Sequence, residues 1–140
     1  MGKRQDKQRA KIDEFMQSEL QPGERIVAVL GQSETGANPS IPLLMMLGSL
    51  TGGVKWKAFV VTSSRVVVLR VKGGSSVGVR EVEESYPKDA VSVTAFAPRP
   101  LWSKLVLALG SEPLELNVHQ SFRDSAEQFV QALGGVKTAA

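Results

Sequence analysis

Six short apolar segments follow one another between residues 55 and 119, and the gaps between them have only the length of turns. Apolar and polar residues mostly alternate within the segments, which is typical of β-strands. Because parallel neighbours need a crossover of a dozen or more residues, gaps this short predict an antiparallel meander. The segments are residues 55–62, 65–71, 77–85, 91–96, 101–109 and 114–119.

A seventh strand is predicted ahead of these, over residues 25–30. It is rich in β-branched residues and lies between the turn residues Pro22-Gly23 and Gly31. Residues 31–54 then form a long connection that is interrupted by several glycines and prolines.

Helical periodicity is found near both ends of the chain. Ile12, Phe15, Met16 and Leu20 share one face and predict a helix over residues 1–20, which Pro22-Gly23 ends. The first turns of this helix are polar, and they are most simply interpreted as a solvated helix start.

The last helix is predicted from one continuous apolar stripe formed by Phe122, Ala126, Phe129, Val130 and Leu133. We expect Ser121 to be its N-cap and Asp124 the acidic partner in a capping box. Gly134-Gly135 is the predicted C-cap.

Several kinds of chemistry are excluded by the absence of cysteine and by the single histidine, His119. We expect no metal, no cofactor and no enzymatic activity. His119, Ser121 and Asp124 supply the three residue types of a hydrolytic triad, but capping explains the last two, so a hydrolase is a disfavoured alternative. Glu81 and Glu83 share a strand face and could bind a hard cation, yet charges that keep an edge strand soluble explain them better.

The positive charge is concentrated at the N-terminus. The chain has a net charge of +3, whereas residues 1–11 alone hold five basic residues and one acidic residue, a net +4. Such clusters bind nucleic acid or anionic membranes. No aromatic residue precedes Phe15, so base stacking is not indicated and nucleic acid is disfavoured. The residues available for contact with an anionic surface are Lys3, Arg4, Lys7, Arg9 and Lys11.

An apolar run at residues 41–50 lies in the middle of the long connection. It is about half the ~20 residues that a membrane-spanning helix needs, and no targeting signal is found, so a cytoplasmic protein is expected. The run could pack into the mouth of a barrel, form a self-association surface or dip into a membrane surface. We predict an interaction surface formed by Ile41, Leu43, Leu44, Met45, Met46 and Leu47, with Trp56 as a secondary member.

Two local segments, together with the order of the elements, resemble the bacterial pleckstrin-homology-like (PH-like) family. They are Leu20-Gln21-Pro22-Gly23-Glu24 before the first strand and residues 58–66, which read Ala-Phe-Val-Val-Thr-Ser-Ser-Arg-Val. The resemblance covers residues 20–135. It implies a split barrel of about seven antiparallel strands capped by a C-terminal helix, in a non-enzymatic module that binds phosphoinositides, peptides or proteins.

Lipid-binding members of that family place several basic residues in the loop between strands one and two. Residues 31–54 contain neither Lys nor Arg, so phosphoinositide binding is disfavoured. We therefore expect an N-terminal helical arm (residues 1–21), a PH-like domain (22–136) and a tail (137–140). The predicted function is protein binding or self-association, the latter as a homo-oligomer, and the alternative is peripheral membrane binding through the basic arm and residues 41–50.

Overall fold

The computed structural model describes residues 3–35, 55–71 and 78–136. Within these ranges one helix precedes the strands along the chain and one helix follows them. Short 3-10 turns at Lys88–Ala90 and Gln120–Phe122 precede the fifth strand and the last helix. The elements are α1 (Lys3–Met16), β1 (Ile26–Thr35), β2 (Lys55–Thr62), β3 (Arg65–Val71), β4 (Val79–Pro87), β5 (Val91–Ala97), β6 (Trp102–Leu109), β7 (Glu112–His119) and α2 (Arg123–Ala132).

The strands pair in the order β4-β3-β2-β1-β7-β6-β5, and every pair is antiparallel. β1 and β7 meet over only two residue pairs, Ser33 with Val118 and Glu34 with Asn117. The arrangement is therefore a four-stranded sheet and a three-stranded sheet joined by a short seam. Because β4 and β5 do not pair in the described ranges, the sheets do not close, and the predicted fold class, a split barrel with a C-terminal helix and an added N-terminal helix, is confirmed.

The main core lies between the two sheets and α2. The predicted α2 stripe is buried there, and the ring of Phe129 packs 6.0 Å from the ring of Phe59 on β2. Gly134 and Gly135 both have positive φ, and their N–H groups donate to the carbonyls of Gln131 and Val130. This is the glycine C-cap that the sequence predicted.

A second apolar cluster covers the outer face of the four-stranded sheet. β3 contributes four consecutive buried residues, 66–69, which alternate between this cluster and the main core. α1 covers part of the outer face with Ile12 and Met16, both fully buried. The predicted apolar face of the first helix is thus confirmed, although the helix ends at Met16, ahead of the predicted end at residue 20.

The prediction that the first strand ends at Gly31 was wrong, because β1 continues to Thr35. A side chain at Gly31 would place its Cβ 2.4 Å from Cδ1 of Phe122, so glycine allows α2 and its preceding turn to approach the strand. The pairing with β2 shifts between Leu30 and Ser33, which indicates a bulge at this point. The fourth strand is also displaced, ending at Pro87 where the sequence predicted residue 85.

Candidate functional site

The two segments that carry the family resemblance contact each other in the structure. The carboxylate of Glu24 accepts hydrogen bonds from Arg65 Nε at 2.8 Å and from the hydroxyls of Thr62 and Ser64. The Glu24 side chain is only 3% exposed, whereas Arg65 is 22% exposed. The hydrogen bond from Arg65 is the main reason that the pKa of Glu24 falls from 4.5 to about 2.

This Glu24 network connects the chain ahead of β1 to the β2–β3 turn. Arg65 also donates to the carbonyl of Glu19 at 2.8 Å, and the backbone N–H of Ser63 donates to the carbonyl of Arg25. The same carboxylate raises the pKa of Arg65 above its usual value. The residues of the motif are thus occupied in a structural contact between segments that are distant in the sequence.

The predicted apolar interaction residues Ile41, Leu43, Leu44, Met45, Met46 and Leu47 lie outside the described residues, so that hypothesis stays a prediction. Trp56 is partly buried against the outer apolar cluster, beside the strand residues that α1 covers.

The predicted basic residues all lie on α1. Lys7 and Lys11 are exposed one turn apart, and Arg9 donates to Asp13 at 2.9 Å on the same helix. Lys3 and Arg4 form the first turn. The helix therefore presents part of its basic set to solvent and uses Arg9 in a local ion pair.

The start of α1 is not simply solvated, contrary to its interpretation from sequence. Gln8 is 1% exposed, and Gln5 accepts a hydrogen bond from the Ser125 N–H at 3.1 Å. The Ser125 hydroxyl accepts from the Gly31 N–H at 3.1 Å and donates to the carbonyl of Phe122. A cleft of about 150 Å³ remains between α1, β1 and α2.

Gln5 and Gln8 were missed because the apolar pattern of α1 begins only at Ile12. Their positions nevertheless continue the same helical face toward the N-terminus. That spacing is the signal that could have placed both on the packed face of α1.

The β5–β6 turn and the start of α2 form one end of the molecule, near the first turns of α1. Leu101 is 53% exposed in this turn, and its carbonyl accepts from the Gln120 N–H at 2.8 Å. Arg123 donates to the carbonyl of Arg99 across the same junction. Because Gln5 contacts Ser125, the N-terminal turns of α1 lie beside this junction.

His119 and Ser121 contact each other, but Ser121 is not the N-cap of α2 as predicted. α2 begins at Arg123, and its N-cap residue Phe122 makes no side-chain capping bond. Instead, Nδ1 of His119 accepts from the Ser121 N–H at 3.2 Å and lies 2.9 Å from the Ser121 hydroxyl. His119 therefore caps the 3-10 turn, and its ring packs against the ring of Trp102 in an edge-to-face arrangement with 5.0 Å between the centroids.

The acidic residues of β4 each have a partner. Glu81 pairs with Arg70 at 3.4 Å, and Glu83 pairs with Lys57 at 2.5 Å. Glu84 accepts a hydrogen bond from the hydroxyl of Tyr86, which raises the pKa of Tyr86 to about 12, with burial as a further cause. No group of three or more metal-ligating residues occurs in the described ranges.

The two outer strands differ sharply in charge. β4 carries Arg80, Glu81, Glu83 and Glu84, and charges of this kind protect an edge strand against pairing with another chain. β5, whose sequence is Val-Ser-Val-Thr-Ala-Phe-Ala, has no charged residue. Val93 turns inward to the core, whereas Thr94 and Ala95 are exposed.

The β5 edge already accepts one backbone neighbour, because Val136 forms an isolated parallel bridge with Val93. The sequence analysis treated β5 only as one strand of the meander. The signal it overlooked is the uncharged interval between Asp89 and Arg99.

Comparison of the chain with models of known protein families gives no match, and comparison with curated proteins gives none either. Within the part of the chain that the structure describes, neither helix has the length and apolar character needed to cross a bilayer.

Proposed function

We propose that this chain is a non-enzymatic binding module that takes up a protein partner by strand addition at β5. The observation that carries the proposal is the uncharged edge of β5, in contrast to the charged edge of β4. An edge strand presents unpaired N–H and C=O groups, and an extended segment of another protein can satisfy them.

The parallel bridge between Val136 and Val93 supports this proposal, because it is a backbone contact made on the outer side of β5. The exposed side chains of Thr94 and Ala95 are small and uncharged, so an incoming strand meets neither steric bulk nor charge there. By contrast, a strand approaching β4 would have to displace or accommodate its ion-paired glutamates.

We further propose membership of the bacterial PH-like family. The strand order and the capping helix support it, and so does the contact between the two resembling segments through Glu24 and Arg65. Binding without catalysis is what that resemblance implies.

Capture from an extract of the source cells tests the strand-addition proposal. The immobilised chain is compared with Thr94→Lys, which adds a charge to the β5 edge, and with Ser85→Lys, which adds the same charge to β4. We expect a set of proteins retained by the unmodified chain and by Ser85→Lys but lost with Thr94→Lys, as measured by quantitative mass spectrometry. Identical retention by all three would contradict a role for the β5 edge.

Peripheral membrane binding is a second candidate, and a specific observation favours it. The exposed Leu101 lies near Arg99 and Arg123, at the end of the molecule that the basic first turns of α1 approach. An apolar side chain near basic residues suits the interface of an anionic bilayer.

Co-sedimentation with phosphatidylglycerol vesicles tests this second candidate. We expect binding at low salt that is lost at high salt and reduced in Leu101→Glu, while Val27→Glu, at an exposed valine of β1, leaves binding unchanged. Absence of binding at low salt would rule the candidate out.

A further inference from the structure

We propose that the cleft between α1, β1 and α2 binds a small free amino acid with an amide or hydroxyl side chain. The size of the cleft, the polarity of its wall and two opposite charges at its mouth support this inference. None of the residues that line the cleft belongs to β5, so the inference goes beyond the proposed strand addition.

The volume of the cleft limits what it can hold. It measures about 150 Å³, similar to a cavity that accommodates one benzene molecule. A ligand of about six to ten non-hydrogen atoms fits this space, whereas a nucleotide or a folded peptide does not. Serine and glutamine lie within this size range, and tryptophan exceeds it.

The floor of the cleft is buried and mostly polar. Gln8, Gly31 and Ser125 are all buried there, and Ile12 and Val29 supply the apolar side chains. A Cβ at Gly31 would lie 3.0 Å from Oε1 of Gln8, so the glycine keeps the space beside this amide open. A polar ligand is favoured, because covering buried polar groups with an apolar molecule is costly.

Two further amides stand on either side of the cleft. Oε1 of Gln5 accepts from the Ser125 N–H at 3.1 Å, and the amide nitrogen of Gln5 is a donor that can serve a ligand. Gln128 of α2 is exposed at the mouth. Amides both donate and accept, so they match an amide or hydroxyl group of the ligand. Among the described residues no aromatic ring lines the cleft, so stacking of a nucleobase is not indicated.

The mouth of the cleft carries one negative and one positive side chain. Asp6 and Arg9 lie three residues apart on α1, where side chains are about 5–6 Å apart at their Cβ atoms, and both line the cleft. Arg9 donates through Nε to Asp13 at 2.9 Å, which uses one of its five N–H donors. The other donors can bind a carboxylate while Asp6 binds an ammonium group.

A free amino acid carries both of these charges on one carbon atom. A simple anion would be repelled by Asp6, and a simple cation would be repelled by Arg9. A terminus of a peptide chain carries only one of the two charges. The zwitterion is therefore the ligand class that satisfies both side chains within the small volume of the cleft.

Isothermal titration calorimetry of the purified full-length chain with L-glutamine tests the proposal. For a ligand of this size we expect a dissociation constant on the order of 100 µM. Because the ligand binds only the folded chain, about 10 mM L-glutamine should also raise the midpoint of thermal unfolding by about 5 °C. Propionamide, which has the same amide and neither charge, should bind at least about ten-fold more weakly.

Variants at the mouth test the assignment of the two charges. Asp6→Asn and Arg9→Gln should each weaken L-glutamine binding about ten-fold. The matched controls Glu14→Gln and Lys7→Gln remove the same charges from exposed positions of α1 that do not line the cleft, so they should leave binding unchanged. Circular dichroism of each variant reports whether it is folded.

The methyl ester of L-glutamine tests the contact with Arg9 separately. The ester lacks the carboxylate, so it should bind the unmodified chain more weakly than L-glutamine does. In Arg9→Gln the two compounds should bind with equal affinity, because the contact that distinguishes them has been removed.

No heat of binding and no thermal shift with L-glutamine at 10 mM would overturn the proposal. Losses as large in Lys7→Gln or Glu14→Gln as in the variants at the mouth would also overturn it, because they would indicate an effect of charge that does not depend on the cleft. None of these results bears on the proposed strand addition, which is measured by capture at β5.

Discussion

Replacing Glu24 with Gln should destabilise the fold in a strongly pH-dependent way. The substitution keeps the size of the side chain but removes its negative charge. The carboxylate that carries this charge accepts hydrogen bonds from Arg65, Thr62 and Ser64. The fall of the Glu24 pKa from 4.5 to about 2 corresponds to about 3 kcal/mol of stabilisation of the ionised form. Because Arg65 is partly exposed and solvent screens the pair, we expect a loss of about 2 kcal/mol at pH 7.

The direction of the pH effect follows from the lowered pKa. Above pH 4.5 the carboxylate is ionised in both the folded and the unfolded chain, and its contribution to stability is fully present. As the pH falls from 4.5 to about 2, the unfolded chain binds a proton first, so the contribution is progressively lost. The unmodified chain and Glu24→Gln should therefore converge in stability at the acid end of this range.

Urea unfolding of both chains at a series of pH values measures this difference. Glu115→Gln is the matched control, because Glu115 pairs with Lys104 at 3.3 Å on an exposed surface, where a pair contributes only about 0.5 kcal/mol. A difference between the unmodified chain and Glu24→Gln that stays constant from pH 7 to pH 2 would refute the linkage, and a difference no larger than that of Glu115→Gln would refute the importance of the network.

Three further perturbations test separate parts of the structure. Tyr86 is the only tyrosine, so the ultraviolet absorbance of tyrosinate should titrate near pH 12 and shift toward 10 in Glu84→Gln; a midpoint near 10 in the unmodified chain would contradict the Glu84 contact. Gly31→Ala should cost about 2 kcal/mol by overpacking against Phe122, and Phe122→Leu should recover part of the loss; equal stability of Gly31→Ala and the unmodified chain in urea would contradict the close approach. Ile12→Ala should cost about 3 kcal/mol because this residue of α1 is fully buried against the sheet, whereas a negligible change in thermal unfolding would mean that α1 is not docked.

The elements with strong local signals were predicted almost to the residue. β2 and β3 have the predicted bounds because the two serines of their turn, Ser63 and Ser64, interrupt two apolar runs abruptly. The stripe of α2 was identified completely because all its members share one helical face in a continuous segment. These signals are short-range, so one sequence is sufficient to recognise them.

Two errors have different causes, one a distant contact and one a local contact that the sequence analysis overlooked. Gly31 was taken as the end of a strand, whereas it is a glycine because Phe122 packs against it from the far end of the chain. Ser121 has a side chain typical of an N-cap, but His119 engages it in the preceding 3-10 turn. The contact with Phe122 leaves no pattern in the sequence near Gly31, whereas the contact of His119 with Ser121 is local and was overlooked because serine is also a common N-cap.

The candidate site was only partly predictable from the sequence. Protein binding was predicted from the family resemblance and from the apolar run at residues 41–50. That run lies outside the described residues. The uncharged edge of β5 depends on which strands lie outermost, and strand order is a property of the whole sheet. Once the strand order places β5 at an edge of the sheet, the absence of charge between Asp89 and Arg99 indicates an edge without charges that oppose pairing.

The positions of the two helices limit where a partner strand can add. α2 packs between the sheets and α1 covers part of the outer face of the four-stranded sheet, so both helices bury side chains against sheet faces. Among the described strands, the outermost backbone groups belong to β4 and β5. The ion pairs of Glu81 and Glu83 protect β4, and nothing in the composition of β5 has that effect. Among the described strands, a second chain that adds a strand therefore meets the least electrostatic resistance at β5, where it has to displace the bridge from Val136.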